Sequence, residues 1–511
     1  MALTNDDLSV IIPDGIDPDN PEIYADLLND LQGNILKSHG RDHSVHLFLK
    51  FTGPASQVKG WLQAFAIACV TSAAEQARQT RLYKLRRKYL GVKAASTTIP
   101  FANLFLTRKG YQYLDTDFKV PRDEFFRYGM KAEQVKAYLG DPAPTAWDTG
   151  LQDDIHALIL LADDDPARLQ ALVDDLTPCL SSVAMILQQE TGFVLRNQAG
   201  QVIEHFGFAD GVSQPLFMKS DVDKAKADGF DQWDPRAPLN LVLVKDPNGK
   251  TEDSYGSYLA YRKLEQDVAA FRSAAAVLAE KLGLEDENKQ LAGAYMVGRF
   301  PDGTPVTLAE QPMETDTNNF NYNNDPVEFG LDPKPSRCPF HAHIRKVNPR
   351  GDTARVNSAP VAPTPEIPAA PDVPAPAELE RERGHRMARR GISYGETDPA
   401  LTPETGSGLL FLCFQGNISG QFAFVQADWA NQNNFVKVNV GNDPIIGVGG
   451  DGEANPTVAG NRQWLTQWGS PESIAERELL GEGNEFKIWI HLKGGEFFFA
   501  PSISFLENLS E

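Results

Sequence analysis

Ser44-Val-His-Leu-Phe-Leu-Lys-Phe-Thr52 alternates apolar and polar residues closely enough to predict a strand, because successive side chains of an extended chain point to opposite faces. Working outward, Pro54 to about Gln79 predicts a helix, with Trp61, Phe65, Ile67 and Val70 as its apolar surface. Arg81–Lys88 reads as a solvated helix face. Phe101–Thr107 predicts a short strand, Ile155–Ala162 a buried one, Pro166–Leu180 a helix and Phe193–Arg196 a closing strand. Strand, helix, strand, strand, helix, strand is the order of a ferredoxin-like α+β unit. Upstream, residues 1–30 are acidic and carry Pro13, Pro18 and Pro21, which suits an arm wrapped on the surface.

The second half repeats these kinds of element without a residue-level repeat. Tyr258–Leu264 predicts a strand, Asp267–Leu284 an amphipathic helix, Gly408–Gln415 a buried strand, and Gln421–Trp429 a helix. Late strand follows at Lys487–Leu492 and Phe497–Ala500. The expected organisation is an arm over 1–30, an N-terminal ferredoxin-like domain over 31–200 and a C-terminal one over 201–511. The latter carries a Pro-rich insertion over 352–380. Within it Ala359–Pro376 has proline at 360, 363, 365, 368, 371, 374 and 376, which forbids helix or central strand and predicts an extended spacer. The glycine-dense Gly441–Gly452 lacks the strand-to-helix context of a dinucleotide loop, which excludes a nucleotide site there.

At 511 residues the chain is too long for one ordinary core. A hydrophobic share of 41% and a charged share of 23% are those of a soluble globular protein. The net charge of −21 excludes nucleic acid and anionic membrane as main partners. Four cysteines make no disulfide framework. The N-terminus has neither a basic segment nor a long apolar one, and no stretch of about 20 apolar residues occurs, so a cytoplasmic setting is expected.

Three stretches carry chemistry. Cys338-Pro-Phe-His-Ala-His-Ile-Arg-Lys-Val-Asn-Pro-Arg-Gly351 places His341 and His343 beside Arg345, Lys346 and Arg350. A neutral imidazole ligates metals and can hold haem iron, and basic side chains nearby suit haem propionates. A zinc half-site is an alternative, but Cys69, Cys179 and Cys413 stand alone and supply no second half. Ordinary buried histidines and a solvated basic face are further alternatives. In Phe206-Gly-Phe-Ala-Asp-Gly-Val-Ser-Gln-Pro215, Asp210 sits between glycines and apolar neighbours, which suits either an Asp-Gly turn or a general acid/base. In His385-Arg-Met-Ala-Arg-Arg-Gly-Ile-Ser-Tyr-Gly395, Arg389 and Arg390 cannot share one environment; one suits an anion, the other solvent.

Together and in this order, the three stretches resemble the dye-decolorizing peroxidases. Leu31-Gln-Gly-Asn-Ile-Leu36, Gly408-Leu-Leu-Phe-Leu412 and Leu492-Lys-Gly-Gly-Glu-Phe-Phe-Phe-Ala-Pro-Ser-Ile-Ser504 are similar to that family too. The resemblance runs from about residue 30 to the C-terminus and is nearest the longer fungal and bacterial members. It implies an α+β fold of two ferredoxin-like domains, dimeric α+β barrel-like, with haem b in the C-terminal one. It implies His343 as the proximal iron ligand rather than His341, Asp210 as the distal acid/base and Arg389 rather than Arg390 as the charge stabiliser. Leu409 and Phe411, two apart on a strand and so on one face, match distal apolar residues that border the haem. Asp443 is the candidate acceptor for the second N–H of the proximal imidazole. The implied partners are hydrogen peroxide and aromatic electron donors such as dyes and phenolics, oxidised through an oxo-ferryl haem, with activity favoured at acidic pH; a homo-oligomer is left open. Trp233, Trp429, Trp464, Trp468 and Tyr394 are candidates for surface electron transfer.

Two other classes stay in view. A non-catalytic haem protein, whether a carrier or an iron-releasing binder, needs His343 but not both Asp210 and Arg389. A zinc hydrolase using His341 and His343 is excluded by a Soret band.

Overall fold

Strand β1 (His43–Phe51) is buried along nearly its whole length, because it has a neighbour on each side and packing on both faces. In the computed structural model, which describes residues 2–91, 99–115, 118–322, 337–353, 376–432, 434–435, 440–448 and 488–510, β1 pairs antiparallel with β3 (Ala157–Asp163) and β4 (Ala184–Phe193). β2 (Phe101–Leu106) flanks β3. The N-terminal sheet therefore has the order β4-β1-β3-β2, the fourth-first-third-second order of a ferredoxin-like unit.

The C-terminal strands follow the same rule. After the two-residue β5 (Val244–Lys245) come β6 (Tyr255–Gln266), β7 (Ala388–Arg389), β8 (Ile392–Tyr394), β9 (Gly408–Gln415) and β10 (Ile490–Ala500). Both β7 and β8 run along β9, and the order β10-β6-β9-β8 is again fourth-first-third-second. Single bridges join the sheets at both edges, Phe499 to Leu106 and Phe193 to Ser393. The ring β6-β10-β2-β3-β1-β4-β8-β9 closes on itself through β6–β9, which removes the open edges that invite aggregation. The expected α+β class with two ferredoxin-like sheets in a barrel holds.

Inside the ring, Phe48 meets Tyr261 at 4.9 Å and Phe498 at 6.3 Å, and Phe105 meets Phe414 at 6.0 Å. Outside the N-terminal sheet, helices Ala55–Cys69 and Pro166–Leu180 lay Val58, Leu62, Phe65, Leu169 and Val173 onto Val45, Leu47 and Leu49.

Several local expectations change. The helix expected from Pro54 to Gln79 is two helices, Ala55–Cys69 and Ala73–Leu90. Between them the Thr71 N–H reaches the Ala102 carbonyl at 2.9 Å and Ser72 caps the second helix through the Glu75 N–H. Ile67, assigned to the apolar face, is 63% exposed. The arm is more than a wrap: Leu3, Leu8, Ile16, Leu27 and Leu28 are buried in a core shared with the barrel interior. The strand expected over Phe193–Arg196 lies almost wholly upstream: β4 runs from Ala184 and ends at Phe193. Among the described residues no helix is long and apolar enough to cross a membrane. The Pro-rich run through residue 375, Trp464 and Trp468 lie outside the described residues.

Candidate active site

One face of the C-terminal sheet is filled at one end and open at the other. On β6, Tyr258 and Ala260 pack in the core, while Arg262, Leu264 and Gln266, on the same face, border a cavity of about 1580 Å³. Leu409 and Phe411 of β9 and Ile490 and Leu492 of β10 complete this apolar floor. His343, Asp210 and Arg389 line the same cavity from three separate segments. The five residues singled out from the sequence are thus brought together.

His343 opens a short helix, His343–Val347. Its Nδ1 lies 2.8 Å from Oδ2 of Asp443, whose side chain is fully buried. The other Asp443 oxygen accepts the N–H groups of Ile445 at 2.7 Å and Ile446 at 3.1 Å. Residues 441–448 of the glycine-dense stretch thus include a turn that aims this carboxylate. An ionised acceptor at Nδ1 keeps the proton there and leaves Nε2 as the basic nitrogen. His341 is buried and does not line the cavity.

A second segment of the cavity wall is the loop of residues 204–215. Gly207 (φ +99°) and Gly211 (φ +72°) adopt left-handed backbone, which an L side chain disfavours. The Gly211 N–H donates to Oδ1 of Asp210 at 2.6 Å. Arg389 is tied to this loop twice: its N–H donates to Oε1 of Gln214 at 3.0 Å and its Nη2 to the Ser213 carbonyl at 2.7 Å. Arg390 points the other way, as the next residue of a strand must. It is buried, donating to the carbonyls of Asn34 (2.7 Å) and Ile35 (2.8 Å) in the Leu31–Leu36 stretch.

Two expectations are corrected. Arg345 and Lys346 are not available to an anion in the cavity. Arg345 is buried in a two-bond pair with Asp352 (2.6 and 3.1 Å), between the rings of Tyr322 and Phe340. Lys346 donates to the Gln432 and Phe435 carbonyls at 2.6 and 3.1 Å, and burial pushes its ammonium down to about 7. Arg345, two residues along, lies on the far side of the turn from His343; Lys346, three along and on the same side, is instead held away by those two carbonyls. Trp233, Trp429 and Tyr394 are not at the surface either, being 5%, 4% and 6% exposed.

Among the cations that line the cavity, Arg350 and Arg386 gather on Trp233, and Arg299 shares the Phe320 ring with Arg350. Among the described residues none of the three pairs with a carboxylate; they donate to backbone carbonyls and, for Arg350, to the Asn318 amide oxygen. Burial lowers them to about 10, 9 and 9, and Nε of Arg350 is buried without a partner. Arg299 and Arg350 are buried and Arg386 is half-buried, and guanidiniums held there without a hydrogen-bonded carboxylate among the described residues suit an anionic ligand group. Arg350 and Arg386 fall inside the quoted stretches; Arg299 does not and carried no sequence signal.

Glu204 was also missed. It lines the cavity and accepts the N–H groups of Phe206 (2.9 Å) and Phe208 (3.0 Å) and Nε2 of Gln266 (2.6 Å). Burial pushes its carboxyl up to about 7 against the pull of those bonds.

An imidazole whose Nε2 has no hydrogen-bond partner among the described residues, a broad apolar wall and guanidiniums without a hydrogen-bonded carboxylate among those residues fit a flat metal macrocycle with acidic substituents, and the cavity exceeds the ~300–1,000 Å³ of most small-molecule sites.

Comparison with known proteins agrees. Residues 30–194 match the family model of the DyP dimeric alpha+beta barrel domain. The chain is 36% identical over 502 residues to the multifunctional dye peroxidase DyP2 of Amycolatopsis sp., covering 95% of this chain and 96% of that one. It is 28% identical to Peroxidase 2 of Mycetinis scorodonius, over 94% and 87% of the two chains. The crystal structure of a DyP-type peroxidase from Anabaena sp. superposes with a TM-score of 0.84 at 50% identity, over 99% of this chain and 100% of that one.

Proposed function

The chain belongs to the dye-decolorizing peroxidases, haem peroxidases acting on hydrogen peroxide, and from that premise we propose which of its residues do the work. Haem b, when bound, supplies the redox chemistry that reduces peroxide and oxidises aromatic donors such as dyes and phenolics. His343 holds the iron through Nε2. Asp443 fixes the ring and makes that nitrogen a stronger donor by accepting the Nδ1 proton. Arg299, Arg350 and Arg386 hold the acidic edge of the macrocycle, and Leu409 and Phe411 exclude water beside it.

Asp210 is the proton carrier. Its Oδ2 takes a proton from one peroxide oxygen and returns it to the other, so that the latter can leave as water, the two electrons being those the haem would supply. Arg389 stabilises the negative charge that develops as the O–O bond breaks; its guanidinium is already oriented by Ser213, so little reorganisation is required. The division into residues 31–200 and 201–511, with the haem on the second, belongs to the same proposal.

The observation that carries this reading is the double tie of Arg389 to the loop bearing Asp210, on the wall of the cavity that His343 also lines. A haem carrier has no need of that pairing. Steady-state peroxide turnover of Asp210→Asn and Arg389→Leu tests it. Each is expected to fall by about 10²–10³-fold at unchanged haem content; full turnover in both removes the mechanism.

A further inference from the structure

Glu204 is a half-buried, cavity-lining carboxyl that the reaction as set out above does not use. Its surroundings are one-sided. Oε2 accepts the Phe206 N–H and Nε2 of Gln266, and Oε1 accepts the Phe208 N–H. Every hydrogen-bond partner it has is a donor, which a carboxylate satisfies at both oxygens and an amide at only one. Its backbone closes the same turn: the Glu204 N–H donates to the Phe208 carbonyl at 3.0 Å, and its own carbonyl accepts the Gly207 N–H at 2.9 Å. The chain leaves this knot directly into Ala209 and Asp210, which are pinned to the Pro301 and Val202 carbonyls at 2.9 and 3.2 Å.

Apart from Asp210, whose charge adds to the upward push on Glu204, the carboxylates nearby are engaged elsewhere. Glu265 meets Lys493 and the Gly406 N–H, and Asp267 caps the helix Val268–Lys281. Among the described residues Glu204 has no cationic partner, so its function is not that of a salt bridge. Phe206 and Phe208, the residues whose N–H groups it holds, point into a separate small core, with Phe206 stacked on Phe271 at 4.1 Å. The turn is thus clamped on its apolar side by that core and on its polar side by Glu204.

We propose that Glu204 is a positioning residue for Asp210: its carboxylate locks the 204–208 turn and so fixes the direction in which Asp210 meets the peroxide. This rests on the reading of Asp210 as the proton carrier. Glu204→Gln is close to isosteric but turns an amide NH₂ towards donors, so at least one backbone N–H loses its acceptor.

The test uses the full-length haem-loaded protein and its haem-free form. In Glu204→Gln, amide hydrogen exchange at Phe206 and Phe208 is expected to accelerate in both forms, and kcat/KM for peroxide to fall by about tenfold or more. Haem uptake and the KM for an aromatic donor stay as in the wild type. Combined with Asp210→Asn, the loss is no greater than that of Asp210→Asn alone, because Glu204 acts through Asp210. Gln266→Leu, which removes one donor to the same carboxylate, gives a smaller change in the same direction and serves if the first variant folds poorly. Unchanged amide exchange and peroxide rate in Glu204→Gln, or a full additional loss on top of Asp210→Asn, overturns the proposal. Full activity of Asp210→Asn alone instead overturns the reading of Asp210 and with it Glu204's role, while the exchange data still report whether the turn is locked.

Discussion

The two four-stranded sheets share one strand order and differ in what covers their outer faces. On the N-terminal sheet, two helices fill the face with Val58, Leu62, Phe65, Leu169 and Val173. On the C-terminal sheet the filling stops halfway along β6, and the other half faces the cavity with Arg262, Leu264 and Gln266. The same topology is therefore a packed core in one half and a site in the other. Backbone connectivity sets the scaffold; covering segments that arch away from the sheet create the space.

That contrast can be broken most easily in the filled half. Leu47→Ala, at a fully buried position of β1, is expected to lower the unfolding free energy by about 2–5 kcal/mol. Leu409→Ala, on a half-buried cavity-lining position, is expected to cost under about 1.5 kcal/mol. Equal losses in denaturant melts would mean that the cavity is closed in solution. The two adjacent arginines sharpen the comparison next. Arg390→Leu strands the Asn34 and Ile35 carbonyls and is expected to destabilise the fold by about 2–4 kcal/mol, with peroxide turnover per bound haem preserved. Arg389→Leu is expected to do the reverse.

Asp443→Asn is a smaller change in structure with a defined readout. Haem affinity is expected to weaken by about 10–100-fold, as for other acceptors that orient a ligating histidine; competition with a haem-binding protein measures it. The smallest effect concerns acid stability. Burial pushes His46, inside the barrel, down to about 3. Its folded pKa lies below the unfolded value near 6.5, so the unfolded state binds more protons between those values. Stability is then full above about pH 6.5 and is lost as pH falls towards 3. His46→Phe is expected to flatten that part of the profile in urea melts from pH 4 to 7; an unchanged slope would show that His46 is not held neutral.

Much of this was legible in residue types and periodicity. Pro166–Leu180 and Gly408–Gln415 form where expected, because a proline at the helix start and an unbroken apolar run are local signals. The start of β4 was not legible, because Gln188 and Glu190 look like loop residues. In the barrel Glu190 pairs with Lys263 at 2.7 Å, so a strand tolerates it. The break at Val70–Ser72 likewise depends on a bond to Ala102. In the site, His343, Asp210 and Arg389 were singled out through the family resemblance and Asp443 as a candidate acceptor for the imidazole; the structure brings the first three to one cavity and Asp443 into contact with His343. Arg345 and Lys346 were misread as partners for an anion because sequence adjacency says nothing about which side of a helix turn is buried. Arg299 and Glu204 have no motif; only the fold brings them to the cavity.

The central claim is that this cavity takes haem through His343. Titration of the purified, haem-depleted chain with hemin, followed by absorption, tests it directly. The account predicts uptake of one haem per chain with the spectrum of an imidazole-ligated ferric haem, and loss of that spectrum in His343→Ala but not in His341→Ala. Retention of the wild-type spectrum in His343→Ala, or its loss in His341→Ala alone, would contradict it.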